Sequence, residues 1–274
     1  QHDLENENEF DSDNNDNVSI DDNIDELDII ENEEENEEEL TDTEYNELDE
    51  EEKEKLFEIN RITKTRVDGK KVNIKEHYGI EQSFVLYNVA KKYKCKSMLE
   101  IGTGRGTGSY SVSMLKNMER VDTFDIIPHS KKVSTAVNFK PYYGSNRDLY
   151  DLLRYEEKEK INFKHIYELT DKYLKENEGK FDMAFIDGNH SNYSIIMDDF
   201  VRCEKLTKKD GIILFDDYGN FPVVTQVIED VMKSRKEYKF ILVPFRGYYF
   251  SNWSKRDKEK GSGIVLCFKQ KEKL

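Results

Sequence analysis

Cysteine is scarce and odd in number: Cys95, Cys203 and Cys267 are all the chain has in 274 residues. Three thiols cannot build a disulfide framework. Cys203 falls in a helical pattern and Cys267 in an apolar strand, positions that suit small buried side chains in a reducing compartment. No apolar run approaches the ~18–20 residues needed to cross a bilayer, and the N-terminus does not read as a signal peptide. A protein with no membrane partner, in the cytoplasm, is therefore expected. There is no internal repeat. Residues 1–40 lack proline and glycine altogether and hold few aromatics.

What fills that opening stretch is negative charge. Residues 1–55 carry 27 Asp and Glu against two lysines, a net of −25. The whole chain stands at −16, which leaves +9 for residues 56–274. Such a leader has too little apolar area to offset the entropy of ordering, and its charges repel one another. Ile24, Leu27 and Ile30 fall at helical spacing, enough for a transient helix. The reading is a disordered acidic leader over 1–55 and one domain over 56–274, long enough to bury a core. The chain opens at Gln1 rather than Met, which leaves open that something upstream was removed.

Within the domain, short apolar runs alternate with amphipathic helices. Residues 80–94 place Ile80, Phe84, Tyr87 and Ala90 on one face. Strands are expected at Ser97–Ile101, Val121–Ile127, Ile161–Tyr167, Phe181–Asp187, Gly211–Asp216, Tyr238–Phe245 and Gly263–Phe268. Helices are expected after the glycines at 102–108, at Asn192–Leu206 and at Pro222–Lys236, where Pro222 suits a first turn. Alternating strands and helices make parallel βαβ units. The fold class is an open, doubly wound α/β sheet of seven mostly parallel strands. The last two strands have no helix between them and should pair antiparallel at an edge. Residues 130–160 are the least patterned, with one or two helices expected in an insertion bordering the site.

Ligands of open α/β sheets bind at the carboxyl ends of the strands, and three constellations lie there. The first is Glu100-Ile-Gly102-Thr103-Gly104-Arg-Gly106, whose glycines allow a tight turn and close approach of backbone to ligand. The dinucleotide fingerprint would need glycine at 107 or 109, where Thr107 and Ser109 stand. The second is Asp125, a strand-end carboxylate placed to accept ribose hydroxyls; Asp122 should face the other way by alternation. The third is FDMAFIDGNH, with Asp187 and His190, followed by LFDDY, with Asp216 and Asp217.

The E-x-G-x-G-x-G run resembles the first motif of class I S-adenosylmethionine (AdoMet) dependent methyltransferases. IDGNH and FDD are similar to motifs of their metal-dependent O-methyltransferase branch, including macrolide-sugar enzymes, over about 77–268. That resemblance implies AdoMet as cofactor, held by Glu100, Gly102, Thr103, Gly104, Gly106, Asp125 and Asp187. It implies Mg2+ or another divalent cation on Asp187, Asp216 and Asp217, with Asp187 and His190 as catalytic residues. Hard carboxylate oxygens are what Mg2+ takes, and a cation beside a hydroxyl makes its proton easier for an imidazole to remove. The other histidines have weaker claims: His2, His77, His129 and His165, of which His77 could reach an acceptor.

The expected reaction is methyl transfer to a hydroxyl of a small acceptor, a sugar, nucleotide-sugar or polyol-like molecule. Tyr142, Tyr143 and the aromatic, basic loop Arg246–Lys260 offer ring faces and cations for it. The +9 charge prompts nucleic-acid methylation as an alternative, but the N-P-P-Y type tetrad for amine methylation is absent. A non-catalytic AdoMet-binding interaction module is the other alternative, opposed by the intact glycines and complete acidic triad. Monomer and oligomer both remain open.

Overall fold

The structure is a computed structural model that describes residues 49–63, 80–137, 140–153, 156–244 and 263–269. Most of the acidic leader, the loop Arg246–Lys260 and the side chains of Tyr142 and Tyr143 lie outside the described residues.

The first described helix, α1 (Glu50–Thr63), begins inside the stretch that charge counting assigns to the leader. Its start has a local cause. Asp49 Oδ1 accepts the backbone N–H of Glu52 at 2.8 Å, and Glu52 Oε2 accepts that of Asp49 at 3.2 Å. Each carboxylate thus satisfies a donor that a helix start leaves orphaned. Acidic Glu50, Glu51 and Glu52 occupy the positive end of the helix dipole. Leu56 and Ile59 are then buried.

Glu52 also fastens α1 to the second helix, α2 (Ile80–Lys92), accepting from Tyr87 Oη at 2.7 Å and Lys91 Nζ at 2.8 Å. Burial works to raise the Glu52 pKa, but the bonds from Lys91, Tyr87 and the Asp49 amide outweigh it and hold it below its ordinary value.

The remaining elements are β1 (Ser97–Ile101), α3 (Thr107–Ser113), β2 (Arg120–Asp125), β3 (Val133–Val137), β4 (Lys140–Gly144), α4 (Asn146–Leu152), β5 (Ile161–His165), α5 (Asp171–Glu176), β6 (Phe181–Ile186), α6 (Tyr193–Leu206), β7 (Thr207–Tyr218), α7 (Pro222–Ser234), β8 (Tyr238–Pro244) and β9 (Gly263–Lys269). Seven strands form one sheet in the order β5-β2-β1-β6-β7-β9-β8. All neighbours are parallel except around β9, which runs antiparallel to both β7 and β8. The reversed strand is therefore next to the edge, and β8 forms the edge itself. β1 and β6 lie side by side with the chain winding outward in opposite directions from them, so the switch point falls between their carboxyl ends.

Residues 130–160 hold a helix, as expected, together with a ribbon that was not. A two-stranded antiparallel ribbon, β3–β4, precedes one short helix, α4, and a 3-10 turn at Glu156–Lys160. Val133, Thr135, Val137, Tyr142 and Tyr143 are β-branched or aromatic, and that local preference prevails. Ser145 caps α4 in a reciprocal box with Asp148.

Both faces of the sheet are covered, which explains its continuous apolar strands. Alternation sends Met98, Met183, Phe185, Ile212 and Leu214 into one core with α1, α2 and α3. Leu99, Ala184, Ile186, Ile213 and Phe215 enter the other, against Phe200 and Cys203 of α6 and Val227 and Ile228 of α7. All three cysteines are buried free thiols. Asp122, buried on β2, accepts from Arg120 Nε (2.8 Å), Tyr173 Oη (2.6 Å) and Asn162 Nδ2 (3.0 Å), tying β2 to α5 and β5 away from any ligand face.

Glu52 makes α1 testable as part of the domain. Glu52→Gln removes a charge-assisted tie and should cost about 1 kcal/mol at neutral pH. Because the folded carboxyl titrates lower than the unfolded one, this stability is present above the unfolded pKa and is lost as pH falls through the folded value. Melting curves of wild type and variant should converge in acid. In the same assay, deleting residues 1–55 should lower Tm more than deleting 1–48. Equal Tm for the two truncations would detach α1 from the domain.

Candidate active site

The site is built where β1, β2, β6 and β7 end. After β1 the chain turns through Gly102 and Gly104, both with positive φ (99° and 51°). These glycines serve different ends. A Cβ on Gly102 would run into the carbonyl of Asp187, so this residue lets the β1 turn lie against the end of β6. A Cβ on Gly104 would meet no protein atom within 4 Å, so the backbone there borders open space. Gly104 is therefore required by its left-handed backbone alone, and it leaves room beside the turn. Gly106 precedes α3 and packs under the ring of Tyr110.

Asp125 closes this turn. Its Oδ2 accepts the Gly104 amide at 2.9 Å and its Oδ1 the Ile127 amide at 2.8 Å. Asn146 of α4 donates to the Gly104 carbonyl at 2.6 Å, so the insertion does border the turn. Thr103 and Glu100 lie differently from the direct ligand contact expected of them. Thr103 is buried and donates to Thr123 Oγ1 at 2.6 Å; Thr123 in turn donates to Glu100 Oε2 at 2.5 Å, which also accepts from Ser109. Glu100 is 1% exposed, its carboxyl spent beneath the turn. Burial is the main cause that pushes its pKa up to about 8, against the opposing effect of the Ser109 and Thr123 bonds.

On the other side of the switch point, β6 delivers Asp187 and β7 delivers Asp216 and Asp217. Strand alternation would turn two consecutive side chains to opposite faces. Asp217 takes a left-handed φ of 62°, uncommon outside glycine, and this breaks the alternation at the strand end. Its Oδ2 lies 2.9 Å from His190 Nε2, and its Oδ1 accepts from Asn220 at 2.9 Å. His190 Nε2 is also 3.2 Å from Asp187 Oδ1.

Asp187, His190 and Asp217 bring ligand atoms within 4.8 Å of one another, the grouping among the described residues that could hold a metal. Asp216 falls outside that group. It joins Asp187 through Gln82 of α2, whose Nε2 donates to Asp187 Oδ2 at 3.0 Å and to Asp216 Oδ2 at 2.5 Å. Three expected carboxylates are thus gathered by two neighbours, an imidazole and an amide. Only the imidazole was foreseen. The signal for Gln82 was a polar residue in an apolar row, four before Leu86 and seven before Val89, both fully buried.

The electrostatics follow from crowding. Burial raises the pKa of Asp187, with Asp217 adding to the rise. Burial followed by the charges of Asp187 and Asp217 raises that of Asp216 well above the carboxylate range. Asp216 is 8% exposed, and its Oδ1 has no hydrogen-bond partner. His190 takes the opposite course: hydrogen bonds to Asp187 and then Asp217 push its pKa up to about 10. The neighbouring carboxylates thus favour the protonated form of the ring. The residues fit a divalent cation, since the oxygens are hard, clustered, short of positive charge and include one without a donor.

Of the other histidines, His129 stacks on Phe163 at 3.6 Å and His165 caps a turn by accepting from Tyr167 N. Neither belongs to the cluster, and His2 and His77 lie outside the described residues.

A mostly parallel sheet with a glycine turn at its switch point and acidic ends on the flanking strands is an arrangement at which open α/β folds bind nucleotide ligands. Residues 99–218, from β1 to the end of β7, match a family model described as a methyltransferase domain. Over this stretch the chain is similar to methyltransferase domains. An uncharacterized protein of Acanthamoeba polyphaga mimivirus is 28% identical over 174 residues, 58% of this chain and 72% of its own length. An O-methyltransferase from Streptomyces achromogenes involved in tomaymycin synthesis, solved with SAM, superposes with a TM-score of 0.52 at 15% identity, covering 80% of this chain and 90% of that one. A cofactor-bound protein from MTB gives 0.50 at 14% identity over 82% and 92%. At such identities these structures establish the fold.

The contrast between the glycines yields a binding prediction. Gly104→Val should weaken AdoMet at least tenfold by calorimetry. The left-handed backbone costs a branched residue ~1–3 kcal/mol, and Tm should fall by no more than that implies. Asp125→Ala should weaken it similarly, whereas Gly102→Ala should compromise the fold. AdoMet affinity unchanged in both Gly104→Val and Asp125→Ala would remove the cofactor from this turn.

Proposed function

We propose that the chain transfers the methyl group of AdoMet to a hydroxyl of a small acceptor, sugar or polyol-like, with a divalent cation assisting. The observation that carries this reading is the grouping of Asp187, His190 and Asp217 at the ends of β6 and β7, beside which Asp216 keeps a buried oxygen with no hydrogen-bond partner. A cluster on this scale is costly without a cation and adds nothing to the core.

AdoMet supplies the methyl electrophile from the β1 side of the switch point, where Gly104 and Asp125 would hold its ribose. A divalent cation held by Asp187, Asp217 and Asp216 would lower the proton affinity of an acceptor hydroxyl there. The same positive charge would cancel the field that keeps His190 protonated. Its imidazole, neutral at working pH, would then take the hydroxyl proton as methyl transfer proceeds. Asp187 and Asp217, within hydrogen-bond distance of Nε2, orient the ring for this. Phe221, 41% exposed, lies with its ring 4.7 Å from that of His190. It offers an apolar face of the kind on which a sugar ring packs. The protein's part is to hold hydroxyl oxygen, methyl carbon and sulfur in line.

The acidic and basic roles separate by mutation. Asp216→Asn should lose most of kcat while AdoMet still binds. It should leave Tm unchanged or higher, because it replaces a buried acid whose ionised form its surroundings disfavour. His190→Ala should lose ~10²–10⁴-fold in rate and flatten the acidic limb of the pH–rate profile. Full activity after exhaustive EDTA treatment would sink the metal reading. An acidic limb preserved in His190→Ala would remove the histidine as base.

A further inference from the structure

Gln82 touches two of the site's carboxylates at once, yet it belongs to none of the motifs. It sits in the first turn of α2, more than 100 residues away in sequence from Asp187 and Asp216. A primary amide carries opposite polarity on its two ends, N–H donors on one and a carbonyl acceptor on the other. Between two carboxylates only the nitrogen can be accommodated, and the nitrogen is what stands there. A divalent cation among the same oxygens inverts that preference. The N–H hydrogens would then face positive charge, whereas an amide oxygen is a neutral hard ligand of the type Mg2+ and Ca2+ accept. The cluster is also not closed by its own bonds, since buried Asp216 Oδ1 has no partner.

We propose that Gln82 turns its amide over when a divalent cation enters, changing from the donor that bridges Asp187 and Asp216 into an oxygen ligand of the ion. The inference rests on the metal reading above and adds to it a side chain from outside the strand ends. Gln82 holds the two acids together while no cation is present, so the site does not spring apart. With the cation present it contributes an oxygen without adding further negative charge.

Calorimetric titration of Mn2+ into the full chain without AdoMet tests this in the wild type, Gln82→Leu and Gln82→Glu. Melting curves in EDTA check that each variant is folded. Gln82→Leu should bind Mn2+ ~10–100-fold more weakly, the usual loss when a supporting group of a metal site is removed. Gln82→Glu should bind it more tightly, with an oxygen always facing the ion. A Gln82 that only bridges the acids predicts the reverse for leucine: with the competing donor gone, Mn2+ would bind as tightly as in wild type or more so, and that result overturns the proposal. Should Gln82→Leu not fold, equal or weaker Mn2+ binding by Gln82→Glu overturns it. Absence of Mn2+ binding in the wild type would fail the metal reading and this inference together. Wild-type binding that ignores Gln82 would fail the inference alone.

Discussion

The constraint on which the structure turns is the meeting of like charges at the mouth of a closed-packed sheet. β6 and β7 are parallel neighbours whose registers bring Ile186 opposite Phe215, so the residues that follow each strand emerge side by side. Both faces of the sheet are filled with side chains, so the acids crowd together at its ends, Asp216 buried and Asp187 and Asp217 partly exposed. Two unit charges about 4 Å apart interact by about 4 kcal/mol at an effective dielectric near 20. The protein meets this with the His190 ring on one side and the Gln82 amide on the other. Neither compensation is complete, as the partnerless oxygen of Asp216 records.

The other half of the site obeys a different logic. Around β1 and β2 the acids are absorbed rather than gathered. Glu100 is turned under the glycine turn and satisfied by hydroxyls, Asp122 is locked to Arg120 and Tyr173, and Asp125 is bonded to two backbone amides. Those bonds shape a rigid rim around a Gly104 that faces empty space. One side of the switch point thus offers a preformed surface, and the other an unbalanced charge. Reaction chemistry that joins a nucleoside cofactor to an oxygen nucleophile needs both in adjoining positions.

Much of this was legible in the chain. The βα alternation, the glycine turn and the acidic strand ends are local patterns, and local patterns survive in a linear reading. Asp187, His190 and Asp217 converge because one strand end and the loop after it are only three residues long, while the neighbouring strand follows by register. Four features were not legible. Gln82 reaches the site through the packing of a helix whose contacts no spacing encodes. The ribbon β3–β4 sits in a stretch without periodicity, where β-branched and aromatic residues decided the outcome. The inward turn of Glu100 depends on Ser109 and Thr123, both ordinary residues until the fold places them. The start of α1 at Glu50 was hidden because its acidic first turn reads as more of the leader.

The packing of Gly102 against the Asp187 carbonyl has a mechanical consequence. With no side chain between them, the turn that borders the nucleoside pocket and the strand end that carries a carboxylate form one contact. A hydrogen bond donated by the Asp187 backbone N–H to the Ile101 carbonyl oxygen at 2.8 Å fastens them further. A displacement of a few tenths of an ångström on one side must be transmitted to the other, since close-packed backbone does not compress. A Cβ at residue 102 would wedge the two strand ends apart, so the side-by-side placement of the glycine turn and the Asp187 carboxylate depends on its absence.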